Sequence, residues 1–265
     1  MIGFFNFYKP EAISSFGALA KLRKLTGEKK LGHCGTLDPM ATGVLPVAFG
    51  RAAKFIEFLP DNTKEYIAAF QLGICTDTLD RTGKVLEKRP VRATEAQVKQ
   101  ALLSFLGESD QLPPMYSAVS RNGVRLYELA RQGLEVDRQP RRIRIDQIEL
   151  LETLPDNTYR IRVCCRKGTY IRSLIADVGE KLGCGAMMTA LERTASNGFF
   201  ARNALTLSDV QAAVENQTLN DCVVPVWQAL DCYPKITVSQ AQAKRVQNGG
   251  SLALNRLPKL PVMGY

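Results

Sequence analysis

The sequence predicts an α+β fold with a mainly antiparallel central sheet and flanking helices. Two strand-like segments follow one another across a short turn, and the helix-like segments do not alternate regularly with strands. Hydrophobic residues make up 45% of the 265 residues, which suffices for a sizeable core. We therefore expect one large domain, alone or with a small appendage.

Three predicted helices are marked by residues that begin or end helices. They run from Ser14 or Ser15 to Leu25, over 94–106, and over 170–182. Thr94 can cap the second helix, as either serine can cap the first. Gly27, Gly107 and Gly183 follow the three helices and can end them, because glycine adopts the left-handed conformation at low cost.

Five strands are predicted from apolar or alternating segments, at 3–8, 44–49, 65–74, 143–151 and 159–165. Residues 44–49 form an apolar run that predicts a buried strand ending at Gly50. The last two strands flank Pro155, Asp156 and Asn157, residues typical of a turn. We therefore expect these two strands to be antiparallel neighbours.

Asp38 lies in a constrained loop near His33, the only histidine of the chain. Gly35 and Gly43 allow positive φ or close backbone approach, and Pro39 biases Asp38 away from helix. A carboxylate on a loop anchored to a buried strand is a candidate reaction centre. An Asp before Pro is also common as a cap or in an Asx-turn, and these residues alone leave both interpretations open.

The charge balance favours a polyanionic partner. The chain has 35 Lys and Arg against 26 Asp and Glu, a formal net charge of +9. Two basic clusters stand out, Lys21, Arg23, Lys24, Lys29 and Lys30 in one and Arg138, Arg141, Arg142 and Arg144 in the other. Each cluster is equally compatible with a solvated surface.

The cysteines indicate reduced thiols. They lie at positions 34, 75, 164, 165, 184, 222 and 232, without Cys-x-x-Cys spacing. Their odd number, in a chain with no evident signal peptide, predicts a cytoplasmic protein. With a single histidine we expect no metal site, and with no apolar run of about 20 residues we expect no membrane span.

Residues 117–142 are too polar and basic for a core segment. Tyr116, Tyr127 and Leu129 are spaced so that a short helix here has one apolar side. A basic, partly helical excursion between strands can clasp RNA, and it can equally be an ordinary surface insertion.

Several motifs in order resemble those of the TruB family of tRNA pseudouridine synthases. His33 to Phe49 resembles the stretch that carries the family's catalytic aspartate. The other matching segments are Lys64-Glu65-Tyr66, Thr76-Asp77-Thr78-Leu79-Asp80, Pro113 to Ala118 and Lys167 to Leu174. The likeness covers roughly residues 1 to 230.

The resemblance implies an enzyme that isomerises uridine to pseudouridine at position 55, in the TΨC loop of tRNA, without a cofactor. It implies a catalytic domain over 1–233 with an RNA-binding insertion at about 117–142, and a truncated PUA-like tail at 234–265. The implied partner is tRNA, with no guide RNA or obligatory protein partner, and the implied state is a monomer. The alternative is an RNA-binding or tRNA-folding protein whose catalysis is secondary or impaired.

The resemblance implies three catalytic residues. Asp38 is the carboxylate that acts on a flipped-out uridine, by attack at C1′ or by removal of a C2′ proton. Arg172 is its implied partner, because a guanidinium stays charged and pairs bidentately with a carboxylate; a helix-start arginine bound to solvent or phosphate is the other interpretation. Tyr66 stacks on the uracil and can remove the C5 proton.

Further residues are expected to bind substrate or RNA. They are His33, Lys9, Tyr170, Leu191, Arg141 and Arg142. His33 is expected to occupy the space left by the flipped base or to contact the displaced backbone, in preference to acid–base chemistry. Lys9 and Pro10 match a Lys-Pro pair that supports the active-site loop in the family. Leu191 matches a pocket residue of the family, but its sequence context is more typical of plain core.

Three positions depart from the family pattern. Ala12 replaces a usual glycine, Gly17 replaces a common aspartate, and Glu192 stands where an arginine is usual. None of these belongs to the expected catalytic set, although Glu192 places a negative charge where relatives often carry a positive one.

Overall fold

A computed structural model describes residues 1–60, 63–121, 123–253 and 257. Its strands are β1 (Gly3–Lys9), β2 (Leu31–His33), β3 (Thr42–Phe49), β4 (Thr63–Leu72), β5 (Ile74–Thr76), β6 (Val85–Lys88), β7 (Gly107–Gln111), β8 (Ser120–Arg121), β9 (Val124–Arg125), β10 (Arg141–Leu154), β11 (Thr158–Arg166), β12 (Ala186–Ser196), β13 (Phe199–Phe200) and β14 (Val223–Val224). Its α-helices are α1 (Ser15–Thr26), α2 (Glu95–Leu103), α3 (Leu126–Arg131), α4 (Ile171–Lys181), α5 (Leu207–Glu215), α6 (Val226–Ala229) and α7 (Gln240–Gln247).

A ten-stranded sheet forms the centre of the molecule. Its main order is β14-β1-β3-β12-β4-β11-β10-β7, with β2 added to β3 and β13 added to β12. The β3–β12 pair is parallel and the other pairs in the sheet are antiparallel. The predicted α+β class with a mainly antiparallel sheet is confirmed.

The sheet is covered on both faces where β1 and β3 cross the centre. Phe5, Leu45 and Val47 belong to the larger apolar cluster, against which α1, α2, α4 and α5 pack. Phe4 and Val44 point the other way, into a smaller cluster that includes residues of a 3-10 helix and of α6. Because successive side chains of a strand alternate between faces, the apolar run of β3 has no side open to water.

The predicted helix ends agree closely with the structure for α1 and α4. Ser14 caps α1, and Gly27 ends it with φ of 70°. Tyr170 is the residue before α4, and Gly183 follows its last turn with φ of 74°. The helix predicted over 94–106 begins as expected after the Thr94 cap but ends at Leu103. It is shorter than predicted because a tight turn precedes β7.

Two predicted strands differ clearly from the structure, and further strands, β12 among them, were not predicted. The strand predicted over 65–74 divides at Gly73, whose φ is 89°. Strand β10 is longer than predicted and begins at Arg141. Strand β12, the central strand between β3 and β4, was not predicted, because two register shifts interrupt its alternation against β4.

The insertion and the tail are small structures at the edge of the molecule. Strands β8 and β9 form a two-stranded sheet, and α3 follows with Tyr127 and Leu129 in the short helix that was predicted. In the described part of the tail, α7 has no buried residue. Residues 254–256 and 258–265 of the predicted PUA-like tail lie outside the described residues. No helix of the described chain is long and apolar enough to cross a membrane.

Candidate active site

Asp38 lies in the loop that joins β2 to β3, at the centre of the sheet. Gly35 and Gly43 have φ of 109° and 102°, so both predicted conformations are confirmed. A side chain on Gly43 would also collide with the backbone of Arg193, since a Cβ there would lie 2.3 Å from the Arg193 carbonyl oxygen. The loop can therefore reach the centre only with glycine at its end.

Two buried cations hold this loop from beneath. The Lys9 ammonium donates to the carbonyl oxygens of Pro10 and Ile13, both at 2.8 Å, and of Pro39 at 3.3 Å. The Lys9 residue is 0% exposed, and burial lowers the pKa of its ammonium to about 8. These contacts agree with the expectation that Lys9 supports the loop. A role of Lys9 in binding RNA stays a prediction, and its burial makes it a weak candidate.

Arg193 supports the other end of the loop. Its guanidinium donates to the carbonyl oxygens of Val44 at 2.7 Å, Gly35 at 3.2 Å and Thr36 at 3.3 Å. The residue is 0% exposed. A buried charge is tolerated only when its donors are satisfied, so these contacts fix the backbone path of the loop.

Arg172 pairs with Asp38 as expected. Its Nε lies 2.9 Å from Asp38 Oδ2, and its Nη2 donates to Asp38 Oδ1 at 3.1 Å. The Arg172 side chain is 5% exposed and that of Asp38 is 33% exposed. The pair is thus asymmetric: the cation is sealed in the protein, while the carboxylate remains accessible to a ligand.

Two further donors of Arg172 are also occupied. Its Nη1 donates to the Thr78 carbonyl at 2.9 Å, and its Nη2 donates to the Tyr116 carbonyl at 2.8 Å. A second carboxylate, buried Asp80, lies 3.8 Å from Nε. Because these contacts come from both sides of the guanidinium, Arg172 cannot turn without breaking several of them. Its orientation fixes that of Asp38.

Gln111, at the end of β7, positions the beginning of α4. Its side chain accepts from the Tyr170 N–H at 2.8 Å and donates to the Tyr170 carbonyl at 3.0 Å. Gln111 is 3% exposed. The Gln111 amide thus bonds both backbone groups of Tyr170, as the backbone of a neighbouring β-strand would. It thereby fixes the position of the first turn of α4, which carries Arg172.

A cavity of about 240 Å³ opens beside Asp38. It is lined by Thr36, Leu37, Asp38, Lys64, Tyr66, Ser117, Ala118, Gly168, Thr169, Tyr170, Ile171, Arg172 and Leu191. The cavity brings together the three expected catalytic residues with two of the expected binding residues, Tyr170 and Leu191. Burial raises the pKa of Tyr66, which keeps its ring neutral and suited to stacking.

His33 does not line this cavity. It is half-buried on β2, and burial, followed by the charge of Arg193, lowers the pKa of its imidazole. Its Nδ1 is buried without a hydrogen-bond partner among the described residues. A neutral imidazole beside the loop fits contact with a displaced base better than proton transfer, and the role of His33 stays a prediction.

Arg141 and Arg142 lie at the beginning of β10, at the far end of the insertion from Ser117. Arg142 contacts Glu108 at 3.3 Å and Asp110 at 3.7 Å. Both arginines are exposed on the edge formed with β7. Their role in RNA binding stays a prediction, and the acidic neighbours of Arg142 make it the weaker candidate.

Sequence reasoning gave no role to several residues of the site. Asp80 and Lys64 appear there only within motifs, and Arg193 and Gln111 were not predicted to belong to the site. The sequence feature that could have identified Arg193 is a charged residue inside an otherwise apolar segment. In the described part of the chain, no group of His, Cys, Asp and Glu side chains is arranged to hold a metal ion.

The chain matches two family models. Residues 23–171 match the TruB family pseudouridylate synthase N-terminal domain, and residues 172–231 match the tRNA pseudouridylate synthase B C-terminal domain. The tRNA pseudouridine synthase B of Clostridium perfringens (strain SM101 / Type A) is 44% identical over 258 residues, 97% of this chain and 86% of that protein. The protein of the same name from Bacillus licheniformis is 45% identical over 251 residues, 92% of this chain and 81% of that protein.

Two solved structures are similar over 98% of the chain. A Cbf5-Nop10-Gar1 complex matches with a TM-score of 0.75 and 30% identity, over 70% of the matched chain. An H/ACA RNP bound to a substrate RNA containing 2′-deoxyuridine matches with a TM-score of 0.73 and 28% identity, also over 70% of that chain. The fold and the family matches are those of a pseudouridine synthase. The chain belongs to the TruB family of pseudouridylate synthases.

Proposed function

We propose that this protein converts the uridine at position 55, in the TΨC loop of cytoplasmic tRNA, to pseudouridine, acting alone and as a monomer. The observation that carries the proposal is the Asp38–Arg172 pair at the cavity wall, with a buried cation and an accessible carboxylate. Its relatives carry the name tRNA pseudouridine synthase B and match nearly the whole chain.

The reaction needs an ionised carboxylate next to the ribose. The N1–C1′ bond breaks, the uracil turns, and C5 joins C1′ with no outside reactant. Attack by Asp38 on C1′ and removal of a C2′ proton both require an oxygen lone pair that Arg172 does not occupy to face the sugar. Arg172 holds Asp38 in one rotamer, which places the carboxylate before the substrate arrives.

A base stacked in RNA must first be extruded to reach this cavity. Extrusion costs a few kcal/mol, which contacts to the extruded base and the backbone must offset. Tyr66 stacks on the uracil, and Leu191 and Tyr170 confine the ring. Removal of the C5 proton by Tyr66 requires its phenolate form, which burial disfavours. The insertion begins at Ser117, in the cavity wall, so a segment gripping the tRNA arm is directly joined to the site.

The test is to incubate the purified protein with an unmodified tRNA transcript and no cofactor, and to map pseudouridine by carbodiimide labelling and primer extension. We expect a single stop at the TΨC-loop uridine. No stop despite tight tRNA binding would contradict the proposal and favour an RNA-folding protein. A transcript with cytidine at that position is the matched control and should give no stop.

A further inference from the structure

Lys64 is the one cationic side chain of the described cavity wall, apart from Arg172, and no step above uses it. It lies on β4 two residues before Tyr66, so both side chains point to the same face of the strand. Its ammonium reaches toward the catalytic loop, since a Cβ on Gly35 would lie 3.2 Å from Lys64 Nζ. Lys64 therefore lies between the floor of the cavity and the loop that carries Asp38.

Within the described residues, the Lys64 ammonium makes no hydrogen bond and no ion pair. The charged or ionisable groups that act on it are Arg193 on β12, Cys165 on β11, Cys34 in the loop, and Lys167 after β11. Arg193 and Lys167 are cations, and burial raises the pKa of the Cys34 and Cys165 thiols to about 12 and about 11. Lys64 is thus surrounded by neutral thiols and like charges.

This arrangement is unfavourable in the free protein. Burial, with a contribution from Arg193, lowers the pKa of Lys64 to about 8. A partly buried cation without a counter-ion is destabilising, and a bound anion would relieve the penalty. A second polar group in the same wall, the buried Ser117 hydroxyl, also has no partner among the described residues. The cavity wall therefore contains two polar groups, the Lys64 ammonium and the Ser117 hydroxyl, that have no hydrogen-bond partner among the described residues.

The proposed reaction creates an anion at this place. When the N1–C1′ bond breaks, its electron pair stays with the uracil, and the negative charge spreads over N1 and the carbonyl oxygens. After the ring turns, C5 joins C1′, C5 loses one proton and N1 gains one, so the reaction is balanced without a co-reactant. The charge on the ring is therefore transient and present only during catalysis.

We propose that Lys64 is a further catalytic residue, whose ammonium donates a hydrogen bond to a carbonyl oxygen of the uracil and stabilises the negative charge that develops when the N1–C1′ bond breaks. The inference rests on the proposed function. A fixed donor aimed at developing charge in a water-poor site lowers the barrier more than it strengthens substrate binding.

The first test is single-turnover pseudouridine formation with saturating tRNA, comparing wild type with Lys64→Met. We expect the rate to fall about 10²-fold, the usual effect of removing one such donor, with an unchanged Kd for tRNA. Lys99→Met, which removes an exposed lysine from α2, is the matched control and should keep the wild-type rate. Thermal melting of each variant checks the fold.

The second test is the pH profile of kcat/KM. Because the charged form is required, activity of the wild type should fall as pH rises through about 8, the pKa of Lys64. The pKa of Lys9 is also lowered to about 8, so the fall alone does not identify the group. Lys64→Arg should move the fall to higher pH, since a guanidinium stays charged there, whereas a fall caused by Lys9 would stay in place.

Three outcomes would overturn the inference. One is a Lys64→Met variant that weakens tRNA binding while its saturated single-turnover rate stays normal, which would indicate a phosphate contact. Another is a folded Lys64→Met variant with both values unchanged. A third is an active Lys64→Arg variant whose pH profile is that of the wild type. If Lys64→Arg is inactive at every pH, the rate and Kd of Lys64→Met decide. A wild type that forms no pseudouridine would instead refute the proposed function.

Discussion

The Asp38 loop depends on single side chains whose contacts are internal. Lys9 and Arg193 are both fully buried, and their donors end on backbone carbonyls of this loop or of its immediate supports. A backbone held by charged donors is stiffer than one held by apolar packing, because each carbonyl has a preferred direction. The position of the carboxylate is thereby set before substrate binds.

We expect Lys9→Met to lower both stability and catalysis. The substitution keeps the apolar stem but leaves buried carbonyls without a donor, at a cost of about 1–3 kcal/mol in the free energy of unfolding. The Pro39 end of the loop also loses its anchor, so the single-turnover rate should fall. Urea denaturation and single-turnover assays measure the two effects. An unchanged rate would mean that the loop does not need this anchor.

At the residue scale, the features that could be predicted depend on residue type or on short motifs. The conformations of Gly35 and Gly43 follow from residue type, and the Asp38–Arg172 pair follows from the family motifs. The contacts of Arg193 with Gly35 and of Gln111 with Tyr170 join residues 158 and 59 positions apart. Nothing in either local sequence specifies such a partner, because the fold alone brings the two segments together.

Elements position the site as much as single residues do. Helix α4 carries Arg172 in its first turn, and Gln111 of β7 fixes where that turn begins. The Asp38–Arg172 pair therefore depends on the strand at the edge of the sheet, even though Gln111 does not line the cavity.

We expect Gln111→Ala to reduce the single-turnover rate about tenfold to 100-fold, because a small displacement of a catalytic group is enough for a loss of this size. Affinity for tRNA should change little, since Gln111 is buried. Gln111→Glu is the matched variant: it keeps the acceptor for the Tyr170 N–H and loses the donor to the Tyr170 carbonyl. A rate for Gln111→Ala equal to that of the wild type would show that α4 begins correctly without this contact.

The two arginines at the start of β10 should differ in their contribution to RNA binding. Arg141→Ala should reduce the slope of log K for tRNA against log salt by about one, as expected for one lost phosphate contact. Arg142→Ala should change it less, because Glu108 and Asp110 already neutralise that guanidinium. Binding titrations over a range of salt concentrations measure the slopes. If neither variant alters the slope, this edge does not bind the phosphate backbone.

At the element scale, regular segments were predicted and interrupted ones were not. Helices α1 and α4 have clear ends, and β3 is uniformly apolar. Strand β12 was missed although it lies at the centre of the sheet, since its bulges disturb the alternation and Glu192 and Arg193 interrupt its apolar residues. Bulges are common beside active sites, where they redirect side chains.

At the scale of the whole molecule, positive charge and a preformed site act together. The net charge of +9 favours approach of tRNA without selecting a nucleotide. Under the proposed function, selection falls to the cavity of about 240 Å³ beside Asp38, which receives the extruded base. The proposal thus separates attraction, which salt weakens, from chemistry, which it assigns to Asp38.

The central claim is that the Asp38 carboxylate breaks and remakes the bond to C1′ of a uridine in tRNA. Tritium release from a transcript labelled at uracil C5 tests it most directly, because C5 loses its hydrogen only when it bonds to C1′. Wild-type protein should release the tritium of the target uridine in a single turnover. Asp38→Asn should release none while it binds tRNA with unchanged affinity, and normal release by Asp38→Asn would contradict the claim.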